Sequence, residues 1–529
     1  MATFLGIDVG TSATKALLCD HKGAVLATAS AEHPIHTPRP GWSEQDPRDW
    51  WTSSLAALHA ACKKAKVKPD QVDAIGLSGQ MHGSVFVDKA GKSLRRALLW
   101  NDQRTAAQCL EIEEKAGGRA ALIDLVNNVA LTGFTAPKIL WVRQHDPRTY
   151  EKTFKILLPK DYIRLRLTGE LASEVSDASG TLLLDVRHRV WSTELLGKLQ
   201  IDAALMPRLY ESIEITGTVA KSAAKQTGLR EGVPVVGGAG DQPAGAVGNG
   251  IVRPGIVSAT FGTSGVVFAH SDAPVSNPEG VLQSFCHAVP GKWCVFGCML
   301  SAGGSLQHVR NMLFADKVKA LRKAKKDPGQ LYPVILEEAA HAPVGCEGLF
   351  FLPYLTGERC PYADPTARGG WIGLTVRHTR ADLLRAVVEG ITFGMRDQVE
   401  LFRQLGTQIA QIRAGGGGAR SAFWRQMQAD MFKAPVVTIN TQEGAAYGVA
   451  LLAATSKGAY PALEQACAKA IRITSTARPR KSVVALYDQM YPQYRDLYRS
   501  LKDDFRKISS IIAGSCSRCK SPRGASRHP

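Results

Sequence analysis

Phe4-Leu5-Gly6-Ile7-Asp8-Val9-Gly10-Thr11-Ser12 is an apolar run closed by a carboxylate, a glycine and two hydroxyls. Residues 4–9 read as a strand, Gly10-Thr11-Ser12 as a tight turn and Ala13 to Cys19 as a returning strand. Asp20-His21-Lys22-Gly23 turns the chain again, and Ala24 to Ser30 continues the meander. The opening pattern recurs far downstream. Ile256 to Phe261 reads as a strand, Gly262-Thr263-Ser264-Gly265 as a turn, and Val266 to Ala269 as a strand. The two copies lie too far apart for a solenoid repeat. They predict two domains that each begin with the same hairpin.

Between and after these hairpins, strands alternate with helices, which predicts an α/β architecture. A helix is expected after Asp46-Pro47, because Asp caps a helix start and Pro fits its first turn. Asp73 to Ser78 reads as a buried strand that ends at Gly79-Gln80-Met81-His82-Gly83. Gln411 to Ala414 reads as a strand running into Gly415-Gly416-Gly417-Gly418, followed by a helix from about Ser421 to Phe432. Glu443-Gly444-Ala445-Ala446 opens an Ala-rich helix that reaches Ala454.

Composition narrows the class. The chain has 529 residues, 45% hydrophobic and 21% charged, which suits two large soluble domains. No apolar stretch reaches the roughly 18 residues of a membrane helix. Asp8 interrupts the first apolar run and no basic residue precedes it, so the start does not read as a secretory signal. A cytoplasmic protein without membrane partners is expected. Eleven scattered cysteines predict reduced thiols. Cys516-x-x-Cys519 has no second pair to complete a metal site. The net charge is +18, and Arg506, Lys507, Arg518, Lys520, Arg523 and Arg527 fall in a tail that has no Asp or Glu. This tail, 506–529, reads as disordered. No nucleic-acid motif accompanies the positive charge, so attraction of phosphorylated ligands is the reading favoured over nucleic-acid binding.

No G-x-x-x-x-G-K-[ST] is present, which excludes a P-loop. Arg420 stands where G-x-G-x-x-G needs its third glycine, so a Rossmann site is also unsupported. What remains is the pair of turns Gly10-Thr11-Ser12 and Gly262-Thr263-Ser264, whose N–H groups and hydroxyls can cradle phosphates. Each could equally be an ordinary hairpin. Asp8, before the first turn, could hold Mg²⁺ through water, since Mg²⁺ takes few carboxylates beside phosphates. Lys15 could add positive charge there or simply face solvent. Asp241 ends Val235-Val236-Gly237-Gly238-Ala239-Gly240-Asp241-Gln242. It reads either as a turn or cap residue or as a base whose pKa is raised by an apolar setting among small neighbours. Gln80, Met81 and His82, with Trp100, Asp102 and Arg104, offer directional groups and an aromatic face for a polyol. Singly, His82 is as readily a satisfied core histidine.

In order along the chain, Gly6–Ser12, Gly79–Gly83, Gly238–Asp241, Thr260–Gly265 and Gly415–Arg420 resemble the motifs of the FGGY carbohydrate kinases. Trp42–Pro47, Gly133–Lys138 and Leu158–Tyr162 resemble segments of the members that act on the ketopentose D-xylulose. The resemblance covers roughly residues 4 to 500. It implies two actin-like (ribonuclease-H-like) ATPase domains flanking a cleft, with the sugar side in 1–247 and the ATP side in 248–505. It implies ATP and Mg²⁺ as cofactors, a ketopentose as substrate, and a homodimer as a compatible assembly. Carried over by position, Asp241 is the general base and Asp8 the metal-associated acid, with Asp241 sharing the metal site. Met81, His82, Asp241 and Gln242 meet the ketose. Gly262, Thr263 and Ser264 line the second phosphate turn, and the Gly415–Gly418 turn, with Arg420, lies at adenosine. Gln242 departs from the Asn usual there and leaves the choice of ketose open. Ribulose, glycerol, gluconate or a deoxyketose are the rival substrates. An actin- or chaperone-like ATPase and a non-catalytic DNA-binding sensor are the rival classes, and the sensor would lack Asp8 or Asp241.

Overall fold

A computed structural model describes residues 2–275, 278–441 and 443–518. In chain order the elements that position the site are β1 (Thr3–Val9), β2 (Ala13–Asp20), β3 (Val25–Glu32), α1 (Pro47–Ala65), β4 (Val72–Gly79), α2 (Pro159–Thr168), β5 (Ile215–Thr218), β6 (Pro234–Val236), β7 (Ala239–Gly240) and α3 (Asp241–Gly248). They are followed by β8 (Gly255–Phe261), β9 (Gly265–Ser271), β10 (Gln283–Cys286), β11 (Trp293–Met299), α4 (Gly303–Leu313), α5 (Arg380–Gln404), β12 (Ile409–Gly416), α6 (Ala422–Phe432), β13 (Val436–Ile439), α7 (Gly444–Ser456), β14 (Ile473–Ala477) and α8 (Lys481–Arg518).

One seven-stranded sheet runs β5-β6-β4-β1-β2-β3, with β7 added beside β4. Its first three strands form the antiparallel meander read from the opening sequence. β4 joins β1 in parallel and sets Ser78 opposite Asp8, while β7 sets Ala239 opposite Ser78. A second seven-stranded sheet runs β10-β11-β9-β8-β12-β13-β14 and contains the repeated hairpin as neighbouring β8 and β9. The chain clusters into two compact units. One comprises the residues up to Ser258 with Phe268–Phe296 and Ile439–Thr474, the other Ala259–Val267 and Gly297–Thr438 with the chain from Ser475 on.

In the first unit, α7 lies flat on the sheet because glycines leave it room. A Cβ on Gly6 would stand 1.9 Å from the Ala446 carbonyl oxygen, and one on Gly76 1.9 Å from that of Val449. α7 meets α3 in the same way, with Gly448 against Ala244 and Gly248 against Gly444. Val449, Leu451 and Leu452 are fully buried, and each such side chain contributes about 1.5–3 kcal/mol. This packing fixes α3, whose first residue is Asp241. α1 starts as its sequence predicts: the Asp46 carboxylate accepts the Arg48 N–H and Pro47 occupies the first turn. No helix among the described residues is long and apolar enough to cross a membrane.

The tail departs from expectation. α8 continues to Arg518 instead of losing regular structure after Arg506. Arg506 pairs with Asp503 and Lys507 with Asp504, each one helical turn back, and Ser509 accepts a hydrogen bond from Arg368. The acidic partners, Asp503 and Asp504, lie just before the basic stretch, one helical turn away. Residues 519–529, including Cys519, lie outside the described residues.

Candidate active site

The first unit gathers two carboxylates at the ends of parallel strands. Asp8 is the penultimate residue of β1, and Asp241 follows β7 directly. Burial pushes the Asp241 carboxyl up to about 7, the charge of Asp8 adds to the rise, and Gln242 partly offsets it. Asp241 stands in the first turn of α3, where the helix dipole favours a negative charge. Burial outweighs that pull. Burial also raises Asp8, against the Ser78 hydroxyl and the Lys15 ammonium. Asp8 Oδ1 is buried and has no hydrogen-bond partner. A carboxylate oxygen left in that state is costly unless something positive or protic meets it.

The first Gly-Thr-Ser turn is held by its carbonyls. His33 Nε2 donates to Gly10 O at 3.0 Å, Gln45 Nε2 to Thr11 O at 2.7 Å and the His33 N–H to Ser12 O at 3.2 Å. Among the described residues no acceptor takes the Thr11 or Ser12 N–H. The second turn repeats the arrangement in its own unit. The Gly303 N–H donates to Gly262 O at 2.8 Å, and those of Ala302 and Gly304 donate to Thr263 O at 2.9 and 3.0 Å. The N–H groups of Thr263 and Ser264 are likewise left without a protein acceptor. A turn with its oxygens engaged and its N–H groups outward is an anion cradle.

Beside the second turn the same unit holds a cavity of about 480 Å³, lined by Gly262, Thr263, Gly417, Gly418, Arg420 and the Trp424 indole among others. Four of the residues expected at the nucleotide therefore meet there with Thr263. Gly416 borders the cavity through its neighbour. Its φ is +69° and a Cβ on it would stand 2.4 Å from the Phe261 carbonyl oxygen. Sequence reasoning missed Gln307, Gln330 and Tyr332 on the opposite wall, because no turn motif marks that helical stretch.

The expected polyol cluster divides. Met81 is buried against Gly240, whose missing side chain makes the room. His82 Nδ1 donates to Gly180 O at 2.7 Å, so in the neutral ring Nε2 is the acceptor. The four others are engaged within the protein. Gln80 is buried and its Nε2 donates to Gln45 Oε1 at 2.7 Å, which ties it to the residue supporting the first turn. Asp102 and Arg104 form an internal bidentate pair, with Ser43 N–H on Asp102 at 2.7 Å, Glu44 on Arg104 at 2.8 Å and the Trp42 ring 3.6 Å from the guanidinium. Each carries its own opposite charge. Trp100, expected on a carbon skeleton, uses its indole N–H on Thr11 Oγ1 at 2.9 Å. Lys15 faces Asp8 across the β1–β2 pair and holds Glu443 at 3.0 Å.

A further group lies under Asp241. Lys160 and Arg164 share one face of α2 and are fully buried. Lys160 Nζ is 2.7 Å from Asp161, 3.4 Å from Glu174 and 3.3 Å from Asp177. Arg164 donates to Gly237 O at 2.6 Å, and the Gly240 N–H donates to Ser176 Oγ at 3.3 Å. These bonds pin the backbone on which Asp241 stands. Lys160 and Arg164, spaced four apart on one helix face, were the available signal.

Comparison with known proteins places this geometry. The N-terminal domain of the FGGY family of carbohydrate kinases matches residues 3–248, and the C-terminal domain matches residues 257–456. The chain belongs to the FGGY family of carbohydrate kinases, whose two domains are actin-like, ribonuclease-H-like ATPase folds. It is similar to the xylulose kinase of Bacillus subtilis, 37% identical over 95% of this chain and 98% of that one. The xylulose kinase of Escherichia coli is 41% identical over 81% and 84% of the two chains. The ligand-bound xylulose kinase of Lactobacillus acidophilus superimposes with a TM-score of 0.88 at 26% identity, covering 96% of this chain and all of that one.

Proposed function

We propose that the protein transfers the terminal phosphate of ATP to the terminal hydroxyl of xylulose, with Asp241 as the general base. The observation that carries this reading is the half-buried Asp241 carboxyl raised to about 7 by desolvation and by Asp8, on a chain whose curated relatives are xylulose kinases. A base works best when its pKa lies near the working pH. Asp241 accepts the proton of the attacking hydroxyl, while Met81, His82 and Gln242 orient the ketose. In-line transfer requires the terminal phosphate at that hydroxyl. In each unit the unpaired N–H groups of the Gly-Thr-Ser turn suit phosphate oxygens, and in the second unit the cavity at Gly417, Gly418 and Trp424 beside Thr263 holds the adenosine. The residues present fit Mg²⁺: Asp8 with its orphaned buried Oδ1, and Asp241, would hold it beside phosphates and water. When bound, the ion neutralises phosphate charge. We assign the sugar side to residues 1–247 and the ATP side to 248–505. We place the protein in the cytoplasm, in keeping with the free thiols of Cys19, Cys62, Cys286, Cys346 and Cys467 among others.

Two expected results arise here. The log of kcat/KM for xylulose falls toward acid pH, because protonated Asp241, whose carboxyl burial raises above the usual range, cannot accept the hydroxyl proton. A flat profile between pH 5.5 and 8 rejects Asp241 as the base. Gly416→Ala strains a left-handed position and crowds Phe261, so the KM for ATP rises about tenfold while that for xylulose stays within twofold. Steady-state kinetics with each substrate varied checks this, and an equal rise in both KM values rejects the assignment.

A further inference from the structure

We infer that the protein carries a second anion site, apart from Asp241, that takes a small molecule bearing two phosphate groups. A cavity of about 830 Å³ opens on the first unit, and its wall carries six basic side chains against one carboxylate, Asp46. Two of the six are neutralised within the protein. Arg48 is bound by Asp46, and Arg95 by Asp146 at 3.1 Å and Glu44 at 3.6 Å. Lys89, Lys92, Arg96 and Arg166 have no carboxylate within 4 Å among the described residues. Four cations without an ion-pair partner, only Arg96 of them within the field of Asp46, match two phosphates of roughly −1.5 to −2 each.

The backbone that carries two of the cations, and the guanidinium of a third, are held in place before any ligand arrives. Asp88 Oδ1 accepts the N–H groups of Ala90 and Lys92, both at 2.9 Å, and the Asp88 N–H donates to Lys92 O at 3.1 Å. That tight turn fixes the backbone of Lys89 and Lys92, both of which line the cavity. Arg166 faces from α2, its guanidinium 5.0 Å from the Trp51 ring and its Nη1 donating to Tyr162 Oη at 3.4 Å. Pre-organised cations lose less freedom on binding.

The shape selects the ligand. The volume falls in the range of small-molecule sites. The one aromatic residue on the wall, Tyr162, is 2% exposed. It offers no face on which a nucleobase could stack, and single-stranded nucleic acid or a nucleotide needs one. A sugar bisphosphate or an inorganic diphosphate fits. No residue of the wall belongs to the catalytic site proposed above, so this inference stands or falls separately from it.

Calorimetric titration of the full chain with inorganic pyrophosphate tests the site, with saturating ADP present to occupy the phosphate turns. The expected result is one binding event with a Kd below 1 mM, weakened about tenfold or more in the Lys92→Ala/Arg96→Ala double variant. Both side chains are exposed, so the variant keeps its Tm and its turnover. Ribulose 1,5-bisphosphate as a parallel probe separates the sources. Tighter binding than pyrophosphate assigns the pocket to sugar bisphosphates, and equal binding assigns it to the diphosphate group. No binding below 1 mM, or the same Kd in the wild type and the double variant, overturns the proposal.

Discussion

Replacing Asp241 by Asn lowers kcat for xylulose phosphorylation by about 10²–10⁴-fold, the loss typical of a positioned base. The variant keeps its fold, because the side chain is nearly isosteric and the backbone beneath it is pinned from below by Arg164 and Ser176. The KM for ATP changes little, since the nucleotide cavity is formed by other residues. The same substitution stabilises the protein at alkaline pH. Asp241 titrates near 7 in the folded chain, against about 3.9 when unfolded. Between those values the folded state holds the extra proton, so wild-type stability falls as pH rises through the window. Asn carries no charge to bury. Its Tm advantage is therefore absent below about pH 4, grows from there to about pH 7 and stays level above it. A variant that retains half the wild-type kcat, or that shows no pH-dependent Tm difference, contradicts both the role and its physical origin.

Asp8→Asn separates the second carboxylate from the first. Saturation with Mg²⁺ shifts to about tenfold higher concentration, and kcat falls by roughly 10² or more, because an amide is a poor ligand for a hard cation. Xylulose binding, measured by calorimetry without nucleotide, stays within about twofold. A further consequence follows from electrostatics. The charge of Asp8 contributes to the raised pKa of Asp241, so its removal moves the acidic limb of the residual activity to lower pH. An unchanged Mg²⁺ dependence, or a limb that moves upward, rejects the assignment of Asp8.

The hairpins were legible because their signals are local. Gly10-Thr11-Ser12 and Gly262-Thr263-Ser264 each combine a turn glycine with flanking alternation, and both form the turns that their residues dictate. Asp46-Pro47 likewise named the start of α1. Gly6 and Gly76 carried no such signal. Their need for hydrogen in place of a side chain arises from Ala446 and Val449, hundreds of residues away. The internal partners of Trp100, Asp102 and Arg104 were not legible for a related reason. Residue type says what a side chain can bond, while burial and the nearest opposite charge decide what it does bond. Asp102 and Arg104 satisfy each other. The Lys160 group was missed from the other side, since buried ionic clusters draw their members from α2 and from Glu174 and Asp177 beyond it.

The central claim is that a ketopentose hydroxyl attacks the terminal phosphate of ATP. Its most direct test is ADP release over a panel of xylulose, ribulose, glycerol, gluconate and a deoxyketose, with the phosphate of the product located by NMR. The account predicts the highest kcat/KM with xylulose and a phosphate on its C5 oxygen. ADP release that is no faster with xylulose than without sugar, or a phosphate on any other carbon, contradicts it.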